Sequence, residues 1–219
     1  MKKGVIAITW IFHPILLYFY LIVLISLIQP VEFLSANLDV ILFLIPSFFT
    51  IVMFPLIASL LMKKLGLLNS IEMNERESRI GPLIATAIFF IWYYINVRDN
   101  PDVPVIISTI ALAASVAICL GFFINNFTKL SLHMIGSGLF LASIVLLAFQ
   151  VDMTGFYINL DLNNYLEVSP VLLVFGATLL SGIIGFSRLY LNAHSSSQIS
   201  LGFLVGVFSV LVAYRINDL

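Results

Sequence analysis

The sequence predicts an all-α fold, a polytopic transmembrane bundle of about six to seven helices in which residues 1–219 form a single integral membrane domain. Three observations carry this. Of the residues, 61% are hydrophobic and only 10% are charged, whereas a soluble domain carries about 25% charged residues. A soluble fold still needs a polar exterior, and this composition cannot supply one. The apolar residues also gather into runs close to the ~20 residues that cross the hydrocarbon core as a helix.

Taken in order, the runs are Ile8–Ile28, Val40–Met62, Ile80–Val97, Val103–Ile124, Ser131–Gln150, Pro170–Leu191 and Gln198–Ile216. The chain opens on Met1-Lys2-Lys3, as a signal peptide would, but the apolar stretch from Val5 to Ile28 exceeds an ordinary signal core. It reads as a first transmembrane helix kept in the mature protein. Pro14, Pro46 and Pro55 fall within the first two runs, where neighbouring helices accommodate a kink. The third run is the shortest. The fourth holds the one cysteine, Cys119, which excludes a disulfide framework and is expected to be a small core residue. Gly202 and Gly206 in the seventh run, and more loosely Gly182 and Gly185 in the sixth, are expected at close helix crossings. The chain shows no internal repeat, no low-complexity tract and no soluble domain beyond its loops.

Charge distribution orients the bundle. With a cytoplasmic N-terminus, that side receives Lys2, Lys3, Lys63, Lys64, Arg76, Arg79, Lys129 and Arg188, and the other only Arg98 and Arg215. Eight against two is a positive-inside bias. If Arg76, Arg79, Lys129 and Arg188 are set aside as site residues, four against two keeps the sign. The opposite side holds Asp99, Asp102, Asp152, Asp161 and Glu167, an acidic external face.

Three polar clusters sit at helix ends on the basic side. They are Asn74-Glu75-Arg76-Glu77-Ser78-Arg79-Ile80-Gly81-Pro82, Lys129-Leu130-Ser131-Leu132-His133 and Ser187-Arg188-Leu189-Tyr190-Leu191-Asn192-Ala193-His194. Topology alone brings them to one end of the bundle. Lys129 and His133, four apart, would share a helical face, and Ser131 would sit at a helix N-terminus whose free N–H groups favour an anion. Arginine offers phosphate a planar fork of donors. With two histidines added, the cluster can bind a phosphate and transfer it, one imidazole attacking phosphorus and the other protonating the leaving alcohol. Taken singly, Arg76, Arg79 and Lys129 are also compatible with topogenic charge, with Glu75 and Glu77 as loop partners, and His133 with a hydrogen-bonded interface histidine. Arg188 lies near the end of an apolar helix, where ionisable residues are costly and mark function. His13, beside Pro14, reads as structural.

Ser187-Arg188, five residues and His194 resemble the third signature of the type 2 phosphatidic acid phosphatase superfamily, membrane lipid phosphatases similar in core to vanadium haloperoxidases. Lys129-Leu130-Ser131-Leu132-His133 is similar to a diverged form of its second signature, Pro-Ser-Gly-His. Arg76, Arg79 and Pro82 occupy the place of its first, Lys, six residues, Arg-Pro. The resemblance covers a core of about residues 76–216.

The resemblance implies that His194 is the nucleophile forming a phosphohistidine and His133 the general acid. It further implies that Arg188, Ser131, Ser187, Lys129 and Arg76 or Arg79 hold the phosphate oxygens. It implies no metal and no other cofactor. The implied partners are a lipid phosphate monoester or diphosphate substrate and the membrane lipids, with no nucleic acid. The implied place is a bacterial inner membrane; several relatives work on its outer face, whereas the charge distribution puts the site here on the N-terminal, cytoplasmic side. The chain departs from the family where an Asp four residues after the nucleophile is replaced by Gln198, whose oxygen can fix the ring tautomer but brings no charge. Glu75 and Glu77 are the carboxylates topology offers instead. Leu132 stands where the family has Gly, and Arg76 or Arg79 where it has Lys.

Two other classes compete. A catalytically weakened member would bind or move an anionic lipid, as Gln198 and Leu132 suggest. A Mg²⁺-dependent prenyltransferase is suggested by Asp99-Asn100-Pro101-Asp102, although Asn-Pro there also reads as a turn.

Overall fold

A computed structural model describes residues 2–28, 39–68, 70, 75–150, 155–159 and 165–217. Asn74, Asp152 and Asp161 lie outside the described residues. The helices are α1 (Lys2–Ile11), α2 (Pro14–Ile28), α3 (Val40–Phe48), α4 (Phe54–Lys64), α5 (Ile80–Arg98), α6 (Val105–Asn125), α7 (Leu132–Gln150), α8 (Pro170–Tyr190) and α9 (Ser196–Ile216). Six spans are long and apolar enough to cross a membrane, and the bent α1–α2 pair, taken as one broken span, makes a seventh. The protein is a membrane-integral helical bundle.

Two departures from straight helices trace to proline. The first run is not one helix: it breaks at Phe12–His13 and bends by 55°. Pro14 has no N–H for an i→i−4 bond and disfavours helical geometry at the residue before it. It therefore begins α2 instead of continuing α1. Between Pro46 and Pro55 the chain widens into a π-turn, Phe49–Met53, with the Phe54 N–H reaching the Phe49 carbonyl. The wider turn accommodates the Pro55 ring without breaking the Val40–Lys64 span.

The core gathers around α6. Of its spanning window 61% is buried, against 22% for Val40–Lys64, so α6 is central and α3–α4 peripheral. Alanine and serine line much of α6, and their small side chains let neighbouring helices approach. The closest crossing joins α7 to α9. A Cβ at Gly206 would collide with the Ile135 carbonyl and the Leu139 N, and one at Gly138 with the Phe203 carbonyl. Gly202 packs against the Ser131 carbonyl, so the expectation for Gly202 and Gly206 holds. It fails for Gly182, where an added Cβ would meet open space, and Gly185 meets only side chains, those of Met134 and Ile199, at ordinary contact distance. Cys119 is exposed on the bundle surface rather than in the core, because its side of α6 faces away from the neighbouring helices.

The loop between α7 and α8 carries a structure the hydropathy pattern does not announce. Phe156–Asn159 (β1) and Tyr165–Val168 (β2) form an antiparallel hairpin, in register from Phe156 with Val168 to Asn159 with Tyr165. Phe156 is buried and anchors the hairpin in the apolar core.

Candidate anion site at the histidine end

The three polar clusters arrive at one end of the bundle because α5, α7 and α9 start there and α6 and α8 finish there. The α8 terminus delivers His194. α8 closes in a Schellman motif: Ala193 N–H donates to the Arg188 carbonyl at 3.1 Å and Asn192 N–H to the Leu189 carbonyl at 2.9 Å. Asn192 takes the required left-handed conformation, at φ 51°. The chain then reverses, and α9 starts with a capping box of Ser195 and Gln198.

That capping box also seats the histidine. The Gln198 Oε1 accepts the Ser195 N–H at 3.3 Å and lies 3.0 Å from His194 Nδ1. A carboxamide oxygen only accepts, so the ring carries its hydrogen on Nδ1 and leaves Nε2 with a free lone pair. The Gln198 backbone carbonyl in turn accepts the Ser131 N–H at 3.2 Å. One residue thus fixes the His194 ring and ties its loop to the start of α7. His194 is 8% exposed. Burial, then repulsion from Arg79, Arg188 and Lys129, lowers its pKa to about 4 against the raising effect of the Gln198 bond. The ring is neutral at physiological pH.

The cations around it differ in how they are held. Arg79 is buried and donates from Nη1 to the Leu130 carbonyl at 2.9 Å. Arg188, in the last turn of α8, has a buried Nε without any hydrogen-bond partner. Lys129 is half-buried. Burial, then repulsion from Arg79 and Arg188, holds its ammonium below the usual lysine range. Lys129 does not share a helical face with His133, as its spacing predicts, because α7 begins only at Leu132. Ser131 occupies the cap position, with the Met134 and Ile135 N–H groups on its carbonyl. Its hydroxyl is fully buried and has no partner.

Arg76 and Ser187 take structural places. Arg76 donates from Nη1 to the Asn126 and Phe127 carbonyls at 3.3 and 3.1 Å and pairs with Glu77 at 2.8 Å, while Asn125 holds the Arg76 carbonyl. Arg76 thus staples the end of α6 to the start of α5. Between the two arginine candidates, burial and the Leu130 contact place Arg79, not Arg76, at the cluster. The Ser187 hydroxyl turns back to the Ile184 carbonyl at 2.7 Å. Glu75 and Glu77 are exposed, and neither contacts His194. His133 points its Nε2 at the Thr9 carbonyl, 3.0 Å away, and His13 meets it edge-on at 5.6 Å between ring centroids. His13, read as structural from its sequence, stands beside a candidate site residue. The only cue for that was the His-Pro pair, which does not reveal a partner 120 residues away.

Elsewhere, Asn100 Oδ1 accepts the Asp102 N–H at 3.0 Å and Arg98 pairs with Asp99 at 3.0 Å, so that acidic motif forms a turn. No group of three or more potential metal-ligating side chains occurs among the described residues. An apolar groove of about 510 Å³ between α6 and α9, including Leu120, Ile124, Leu204 and Phe208, shares no residue with the histidine end. Comparison with known protein families, with curated proteins and with solved structures finds no match to this chain.

Proposed function

We propose that the protein is a membrane lipid phosphatase, hydrolysing a phosphate monoester or diphosphate headgroup through a phosphohistidine on His194. The observation that carries the reading is the neutral, Gln198-oriented imidazole among Arg79, Arg188 and Lys129, next to two buried polar groups without partners, Arg188 Nε and Ser131 Oγ. A buried guanidinium nitrogen and a buried hydroxyl without partners cost free energy. Phosphate oxygens would satisfy both, and the surrounding cations would stabilise charge as the oxygens gain it. Free lone-pair density on His194 Nε2 suits attack on phosphorus. His133 is the general acid, and the cationic side chains do the charge neutralisation without a metal.

The positive-inside distribution supports placing this end on the cytoplasmic face of a bacterial inner membrane. The substrate's tail then stays in the bilayer while its headgroup reaches the helix ends. The test is phosphate release in detergent from phosphatidic acid, phosphatidylglycerophosphate and a polyprenyl diphosphate. The wild type is expected to release phosphate from at least one of them and His194→Ala from none. Equal release by the two proteins would overturn the mechanism.

A second reading is favoured by one observation: the group on His194 Nδ1 is a neutral carboxamide rather than a carboxylate. In that reading the site binds or moves an anionic lipid without turnover. Saturable binding of the same lipids that survives His194→Ala, with no phosphate released, distinguishes it.

A further inference from the structure

An unbroken helix through α1 would pair the Thr9 carbonyl with the His13 N–H. Here the His13 N–H turns to the Trp10 carbonyl at 3.4 Å, and the helix restarts with Leu17 N–H on the His13 carbonyl at 2.9 Å. Thr9 is thereby released from its own helix, and its carbonyl oxygen lies 3.0 Å from His133 Nε2. A carbonyl only accepts, so the contact is a hydrogen bond only when Nε2 carries the hydrogen. The break is also seated against α7. Gly136, one turn beyond His133, packs so closely that a Cβ there would stand 2.9 Å from Pro14 Cα.

We propose that the break between α1 and α2 is a positioning device for His133: it hands the freed Thr9 carbonyl to Nε2, fixes the neutral ring as the Nε2–H tautomer, and leaves Nδ1 as the nitrogen that exchanges protons. Its catalytic part rests on His133 being the general acid. As the P–O bond breaks, its electron pair leaves with the alkoxide oxygen, and that oxygen takes the Nδ1 proton of the doubly protonated ring. The ring is left as the Nε2–H tautomer that Thr9 already holds. In the second step Nδ1 accepts a proton from water as the water oxygen attacks the phosphohistidine and the P–N bond breaks. Nε2 keeps its hydrogen, donated to the Thr9 carbonyl, throughout, so the ring need not reorient between steps. Thr9 and Pro14 are positioning residues.

The test is ¹⁵N NMR of the full chain in detergent with labelled histidine, at mildly alkaline pH where imidazole is neutral. The chain has three histidines, and His133 is assigned by the signal lost in His133→Gln. The expected wild-type spectrum has a protonated Nε2 and an unprotonated Nδ1. In Pro14→Ala the Thr9 carbonyl returns to its own helix and the signal moves toward a mixture of tautomers. Gly136→Ala, which displaces Pro14 from α7, is expected to move the same signal and covers a Pro14 variant that fails to fold. A protonated Nδ1 in the wild type, or no change in either variant, would overturn the proposal. Kinetically, Pro14→Ala is expected to lower kcat about tenfold with KM unchanged, part of the ~10²–10⁴ that acid catalysis contributes. A raised KM at unchanged kcat would overturn it, by placing the break in substrate binding. The spectrum needs no substrate, so a wrong tautomer leaves the phosphatase reading standing, and an inactive protein with the expected tautomer leaves the positioning role standing.

Discussion

Arg98 and Arg188 each stand in the last turn of a long apolar helix, α5 and α8, at opposite ends of the bundle. Both suit a helix C-terminus, where the aligned peptide dipoles favour a cation. Their surroundings differ. Arg98 is exposed, holds Asp99 with both carboxylate oxygens at 3.0 Å and lies 6.0 Å from the centre of the Tyr94 ring. Arg188 has a buried Nε with no partner, and the field of further cations around it. The Arg98 arrangement is complete as it stands. The Arg188 arrangement leaves a buried donor without a partner, and in the proposed function an anion would complete it.

The comparison breaks most sharply by mutation. Arg188→Ala is expected to lower kcat/KM for a lipid phosphate by about 10²–10³, the scale of losing one donor to a developing oxyanion. Arg188→Lys should recover only part of this, because an ammonium lacks the planar fork. Arg98→Ala should leave the rate unchanged. A matching loss at Arg98 would dissolve the distinction.

A second test concerns the scaffold that brings Ser131 and His194 together. Gly206→Ala forces a Cβ into the backbone of α7 and is expected to cost about 1–3 kcal/mol, as overpacking does. It should lower the thermal midpoint and, by parting α7 from α9, the activity. Gly182→Ala, whose Cβ would meet open space, should change neither.

Gln198 sharpens the account through pH. His194 attacks only when neutral, and its pKa lies near 4. Activity should therefore persist as pH falls through the ordinary histidine range and fail only as it approaches about 4. Gln198→Glu places a carboxylate on Nδ1, favours the imidazolium and raises that pKa. The acid limb of the kcat/KM profile should move up by about one pH unit or more. An acid limb that stays in place would mean His194 is not the titrating nucleophile.

The smallest effect belongs to Glu77→Ala. Glu77 is exposed and pairs with Arg76, so its loss should leave turnover unchanged, as expected of surface ion pairs.

The bundle is legible in the sequence because each crossing must present a long apolar run to lipid, and that signal needs no knowledge of partners. The gathering of Arg79, Ser131, Arg188 and His194 at one end follows from the same runs, since alternate helix ends must share a membrane face. Which arginine enters the cluster does not follow. Arg76 and Arg79 are three residues apart, and only the loop after α6, whose carbonyls capture Arg76, separates them. The shared face expected of Lys129 and His133 fails because helix starts depend on cap geometry, here the Ser131 carbonyl. The meeting of His133 with Thr9 was invisible, since any residue can own an orphaned carbonyl. The hairpin escaped because its strands are four residues each, too short to print a period.

The most direct test of the central claim is to look for the phosphate on the histidine. After brief exposure to a lipid labelled in its phosphate and an alkaline quench, the account predicts an alkali-stable, acid-labile label on His194. It predicts no label in His194→Ala. Turnover without that label, or the same label in His194→Ala, would contradict it.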